Sequence, residues 1–445
     1  MPITLSRTLA VVLTAATLAA VAPAHAAEAV TVDDTAKFLA GMPPAADSPL
    51  AALTRDPAWQ QHAHTLDSIF AREDKRTLSK VRAFSRQYLT DKHDTMLYMF
   101  SGPDFLYATS FFPSASTYVL AGLEPVGDVP PLTSLSRGAI DGSLYSLERS
   151  MGTLLNYSFF ITKNMKTQLH EGPINGTLPI LFVFLERTGK TVHEVTYVGL
   201  DKEGNVQTPN ANDKTGRHLP PTGAPGIRIV FSDGFGPKQT LYYFGTNIAD
   251  GSIEHSGFLA FCKKLGTADS FIKSASYLLH TGGFNTVRNM LLKQSATILQ
   301  DDSGIPLAYF DRRQWRLQPF GRYVGPLRIF GNSYQPRMTE LFANGHAIPI
   351  DFGIGYRWQQ SESNLLLAQR TAAATSDNEL APPLPAAHKV RGSQSRKKGR
   401  AAGGRPQTNR NGADADATGS LGCRIAGIFP FCSDRPASAP SKPNW

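Results

Sequence analysis

Unbroken apolar runs separated by short polar breaks set the pattern between residues 95 and 127. Residues 96–100 (MLYMF) are apolar throughout, as is most of residues 118–123. Such runs suit strands buried on both faces, not strands with one wet face. Ser101, Gly102 and Pro103 break the first run, and Asp104 stands where a helix can start, favoured by the free N–H groups and the dipole. Phe105, Leu106, Phe111 and Phe112 then offer apolar cover for a sheet, and Pro113 stops the helix. Two strands joined by a helical crossover imply a parallel pair.

The remaining chain repeats this grammar. Asp56-Pro57 is a helix start, followed by Trp59, His62, Leu66, Ile69 and Phe70 on one face, and Leu78, Val81, Phe84 and Tyr88 continue in a second helical stretch. His62 and His64, two apart on a helix, point in different directions and do not chelate together. Beyond a Pro-rich link, Leu144, Leu147, Met151, Leu154 and Leu155 mark another helix. Residues 178–185 read as a buried strand, 186–194 as a short crossover, 195–200 as the next strand, and 201–225 as a polar excursion. Residues 227–231 and 240–244, joined by SDGFGPK, read as a hairpin with a longer loop. A helix over 258–265, a strand over 273–279 ending in HTGG, a helix through Phe284, Val287 and Leu291, and a run at 297–300 follow. The fold expected is α/β: a mixed, mostly parallel sheet flanked by helices, with a helical N-terminal cap and a disordered C-terminal tail.

In open α/β sheets, sites form beyond the carboxyl ends of strands. Asp104 and Glu124 both fall on that rim and are the candidate catalytic residues, with Asp233 or His280 as possible companions. Two carboxylates can divide acid and base roles if their surroundings separate their pKa values. The plainer alternative is a helix cap for Asp104 and a pre-proline turn for Glu124. Glu124 lies twenty residues past Asp104, the outline of a dinucleotide fold, but SGPDF has one Gly and a rigid Pro where the glycine fingerprint belongs. Asp301 and Asp302, in DDSGIP, read as turn formers before candidate bases or cation ligands. Between residues 314 and 370, Arg alternates with aromatics. Arg312, Arg313, Arg316, Arg322, Arg328 and Arg357 would suit an acidic ligand, and Trp315, Tyr323 and Trp358 a sugar face; the structural alternative is Arg stems lying over rings. No Walker, HExxH, GxSxG or Cys-x-x-Cys motif occurs, and neither a metal nor a cofactor is expected.

The net charge is +9, but eight Lys or Arg between His388 and Arg410, together with Arg7, account for all of it. The body is neutral, and the basicity rides on one segment. Arg7, the apolar stretch 9–21 and Ala24-His25-Ala26 read as a secretory leader cleaved after Ala26. The mature chain is expected in the periplasm or outside the cell, with no transmembrane helix and away from cytoplasmic NAD and ATP. In that oxidising setting Cys423 and Cys432 are expected to pair, while Cys262 reads as a buried small hydrophobe. The division expected is a leader over 1–26, the helical cap over 27–92, an α/β domain over 93–370, a disordered basic linker over 371–421, and a disulfide-stapled tail over 422–445. The segment Lys389–Arg410 suits an anionic envelope component, glycan or phospholipid; lacking interleaved aromatics, it reads no specific nucleic acid.

The run SGPDFLYATSFFP followed by YVLAGLEPVG resembles a set of exported bacterial proteins with no assigned activity. That resemblance implies export and an α/β domain and carries no catalytic residue. Taken together, these features favour a binding or structural role at an anionic envelope surface. The alternative is a hydrolase or transferase using carboxylates at the sheet's rim.

Overall fold

The computed structural model describes residues 29–157, 172–209, 223–344 and 346–371. The leader, the Lys389–Arg410 segment and the Cys423–Cys432 pair lie outside the described residues. The apolar run after Asp94 forms strand β1 (Thr95–Tyr98), buried at every position, and the second run forms β2 (Thr117–Gly122). They pair in parallel, Thr95 opposite Thr117 and Tyr98 opposite Leu120. Between them α4 (Phe105–Phe111) starts at Asp104 and is buried along all of its length. The expected strand–crossover–strand unit is therefore present.

Among the described residues ten strands make one mixed sheet. The others are β3 (Lys190–Leu200), β4 (Val206–Gln207), β5 (Ala224–Asp233), β6 (Lys238–Gly245), β7 (Ala268–Ile272), β8 (Ser295–Gln300), β9 (Trp315–Gly321) and β10 (Asn364–Arg370). Their order is β4-β3-β5-β6-β2-β1-β7-β8-β10-β9. The central strands β6, β2, β1, β7 and β8 run parallel, and both wings are antiparallel. The expected hairpin is the β5–β6 pair.

Alternate side chains of the central strands feed two cores. Met96, Tyr98, Tyr118 and Leu120 face one layer of helices: α1 (Val32–Leu39), α2 (Pro57–Glu73), α3 (Ser79–Tyr88), α4, α5 (Arg137–Tyr157) and α6 (Leu178–Arg187). Leu97, Val119 and Ala121 face the other, with α7 (Phe258–Lys264) and α8 (Asn285–Gln294). A further helix, α9 (Pro336–Asn344), covers the β9–β10 wing through Met338 and Leu341. The N-terminal helices share one continuous core with α4, α5 and α6.

Two expected strands are corrected. Residues 178–185 form helix α6, with Pro179 in its first turn and every residue from Leu178 to Glu186 buried. A run apolar on all sides carries no period, so strand and buried helix read alike. The crossover expected over 186–194 gives way to β3, which begins at Lys190. The strand expected over 273–279 is instead β7, ending at Ile272. Its polar residues have specific partners that hide the strand from a hydrophobicity reading: Asp269 bonds His93, and Ser270 Oγ meets Ser295 Oγ at 2.7 Å.

Candidate functional site

The crossover from β1 to β2 runs through α4 on one face of the sheet, and that from β7 to β8 through α8 on the other. Since β1 and β7 are adjacent and parallel, the chain leaves their carboxyl ends in opposite directions. That divergence is the topological switch point at which open α/β sheets hold ligands.

Asp104 follows β1, and Lys273 is the first residue after β7. Their side chains meet at this point, Lys273 Nζ to Asp104 Oδ2 at 2.7 Å. Both are buried, 2% and 1% exposed. Asp104 also accepts from Tyr98 Oη at 2.9 Å and, as the cap of α4, from Tyr107 N–H at 3.2 Å. The ammonium of Lys273 stands 4.1 Å from the centroid of the Tyr107 ring, and Tyr107 Oη donates to Glu73 Oε1 at 2.9 Å. Glu73 is also bonded by Arg76, across the π turn Asp74–Leu78 that joins α2 to α3. Burial pulls the Lys273 amine below its usual range, and the charge of Asp104 opposes that pull. Burial likewise pushes the Glu73 carboxyl up, against the nearby Arg76.

The loop after Lys273 is held in an uncommon backbone conformation. Ser274, Ser276 and Tyr277 have φ of 53°, 55° and 55°, the left-handed region that a side chain disfavours by on the order of 1–3 kcal/mol per residue. Side chains beyond β8 hold it there. Asp301 Oδ2 accepts Ser274 N–H at 2.8 Å, Ser303 Oγ accepts Ala275 N–H at 2.7 Å, and Tyr277 Oη donates to Asp302 Oδ2 at 2.6 Å. Asn364, opening β10, donates to Asp302 Oδ1 at 3.2 Å. Gly355 presses against the centre. A Cβ there would lie 2.7 Å from both Asp301 Oδ2 and Ser274 Oγ, and its φ of 59° already disfavours a side chain.

Asp301 is a strongly perturbed acid. Burial first, and the adjacent Asp302 second, push its carboxyl up to about 7. Asp302 is pushed up by burial as well. Adjacent carboxyls in such a setting share a proton near neutral pH. The Ser274 hydroxyl beside them is buried and has no hydrogen-bond partner among the described residues. A raised carboxyl, a buried ammonium and a hydroxyl without a partner among the described residues thus lie on adjoining loops. Over them lies the turn Arg328–Ser333, with the Phe330 ring 4.9 Å from that of Tyr277 and 6.3 Å from that of Tyr356.

The sequence-derived candidates fall as follows. Asp104 is at the switch point, in both its capping role and an ion pair. Glu124 is buried at the end of β2, where Tyr243 Oη donates to its carbonyl at 2.9 Å and stands 3.5 Å from Oε2. Among the described residues the two acids have no common hydrogen-bond partner. Asp233 is a correction: β5 runs antiparallel to β6, so its last residue lies at the amino end of the parallel strands, where it pairs with Lys190. His280 lies in the loop region after β7, its ring pushed down to about 4 chiefly by burial, with Nε2 unpartnered among the described residues. Three of the six arginines take separate partners: Arg313 with Asp311, Arg316 with Gln369, and Arg357 with Glu362 and the Gly325 carbonyl. Trp315 is buried and carries Arg370 over its ring at 4.8 Å, so it presents no open face to a sugar.

Lys273, Ser274 and Tyr277 fall within the strand expected over 273–279, and nothing in the sequence around Glu73 marks it. Their one sequence signal is a polar run, KS-S, immediately after the apolar end of β7. Among the described residues no helix is long and apolar enough to cross a membrane, and no cluster of three or more His, Cys, Asp or Glu side chains is arranged to hold a metal. Comparison with protein-family models, curated proteins and solved structures finds no match for this chain.

Proposed function

We propose that the α/β domain is a hydrolase or transferase acting on a component of the cell envelope, with its reacting groups at the carboxyl ends of β1, β7 and β8. Asp301 transfers the proton, the Ser274 hydroxyl contacts the substrate, and the Lys273–Asp104 pair fixes the charge beside them. The observation that carries this reading is the Asp301 carboxyl, raised to about 7 beside an unpartnered hydroxyl on a strained turn at the switch point. The leader pattern and the resemblance to exported proteins support a place in the periplasm or outside the cell. The eight cations of Lys389–Arg410 support attraction to anionic glycan or phospholipid.

A second reading is a binding domain without turnover, supported by the closure of the site: Asp104, Lys273, Asp301 and Asp302 are each at most 2% exposed. One experiment separates the two. Purified full chain is incubated with peptidoglycan digest, lipopolysaccharide oligosaccharide and phospholipid, and products are followed by mass spectrometry beside Asp301→Asn and Ser274→Ala. Turnover that disappears in both variants supports the enzyme. Binding of one of these components with no product supports the binding domain, and turnover unchanged in both variants refutes the assignment of these residues.

A further inference from the structure

A second cleft opens at the opposite, amino end of the parallel strands, walled by α3, residues 90–93, the end of α4 and the start of β7. Its volume is about 460 Å³, within the range of small-molecule sites. The geometry points to a binding site for a small organic anion, an apolar body bearing one phosphate or carboxylate group, that is separate from the carboxyl-end site.

Three observations build it. The floor is apolar and fixed: Leu89 and Phe112, 7% and 6% exposed, face the cleft, and Phe111 and Ala115 back them from the core. Such a floor takes the ligand's carbon body and holds no water well. The rim carries Arg86 and Lys92, both exposed, and among the described residues neither has a carboxylate within ion-pair distance. Two uncommitted cations beside an apolar floor match a charged head on an apolar body. Between floor and rim stands His93, held from behind by Asp269. The Asp269 carboxylate accepts His93 N–H at 3.3 Å and lies 2.9 Å from Nδ1. With Nδ1 and the backbone held, Nε2 is the ring atom free to meet a ligand.

Charged groups facing the cleft from every side set the sign. Asp269 is buried behind His93, and burial pushes its carboxyl up. Asp91 is exposed and accepts from Gln369 Nε2 at 3.2 Å. The solvent-facing balance of Arg86 and Lys92 against Asp91 is positive. A fixed imidazole with a buried carboxylate behind it also has a structural use, anchoring residues 91–94 to β7. The unpaired cations are not needed for that anchoring, and they carry the binding inference.

Isothermal titration of the full chain with phenyl phosphate, benzoate, benzyl alcohol and inorganic phosphate tests it. The result expected is binding of phenyl phosphate or benzoate with Kd below about 1 mM, at least tenfold weaker in Arg86→Gln/Lys92→Gln and unchanged in Asp301→Asn. Both substituted rim residues are exposed, so the variant is expected to fold. A matching Kd for benzyl alcohol removes the need for charge, and a matching Kd for inorganic phosphate removes the need for the floor. Either result, or binding equally tight in the double variant, or none by about 10 mM ligand, overturns the proposal. Loss of binding in Asp301→Asn alone places the ligand at the carboxyl end and overturns it too.

Discussion

Replacing Asp301 by Asn removes an acid whose carboxyl the fold holds near 7, and the consequence for stability has a definite sign. In the unfolded chain this carboxyl titrates at about 3.8, and in the folded one at about 7. Folded protein therefore holds a proton that unfolded protein has released. The associated stability is fully present below about pH 4 and is lost as pH rises to about 7. The interval is worth about 4 kcal/mol at most, and about 3 kcal/mol of it falls between pH 5 and pH 8. Glu186, raised by burial to about 9, and Glu73, Asp269 and Asp302 shift in the same direction, so the absolute slope of the unmodified chain is not diagnostic; the difference from the variant is. Asn keeps the size but offers one acceptor where Ser274 N–H, Ser303 N–H and Ser303 Oγ donate to two oxygens, which adds a constant offset independent of pH. Urea unfolding followed by tryptophan fluorescence at pH 5 and pH 8, on both chains, yields the slopes. The Asn variant is expected to lose about 3 kcal/mol less over that range. Parallel curves for the two chains would show that the pair shares no proton near neutral pH, and the acid–base role given to Asp301 would fall with it.

Three further perturbations probe the same centre and its support. Lys273→Met leaves Asp104 buried without its cation and is expected to cost about 3–5 kcal/mol in urea unfolding, with Asp104→Asn in the same chain restoring at least half. Gly355→Ala drives a methyl onto Asp301 and Ser274 at a left-handed φ, and is expected to cost about 2 kcal/mol and to raise hydrogen exchange at Ser274 and Ala275. Phe105→Ala empties the packing between Tyr118 and Phe231 and is expected to cost about 3–5 kcal/mol without altering the Asp301 slope.

The β1–α4–β2 unit was legible because several signals agreed. Two apolar runs, a Ser-Gly-Pro break, an acid at the cap and a proline at the stop all point one way. Asp104 was found through that local logic, as a cap on a rim. Its partner was not, because nothing local to Lys273 says that the chain returns there beside β1. The sequence around Asp301 misled in the other direction. Asp-Asp-Ser-Gly is turn composition, and it does form a turn, but one whose carboxyls are aimed inward at another loop. Burial of that kind is a tertiary property, and composition is silent on it. Helix α6 was missed for the opposite reason, since uniform burial erases the period that distinguishes helix from strand.

The departures from a plain doubly wound sheet are also the parts that close the crevice. The β9–β10 wing supplies Asn364 to Asp302, and the segment leading into β10 supplies Gly355 against Asp301 and Tyr356 to Ser276, its Oη 2.9 Å from the serine hydroxyl. The turn over Tyr277 comes from the stretch after β9. By contrast, the strands that place Asp104 and Lys273 are buried on both faces and paired on both edges. The cover over Ser274 and the parallel strands beneath it therefore belong to different parts of the chain. A loosening of the wing is then expected to leave the Lys273–Asp104 pair in place, since that pair is held by strands paired on both edges, and hydrogen exchange that is faster in the wing than in β1 and β7 would show it.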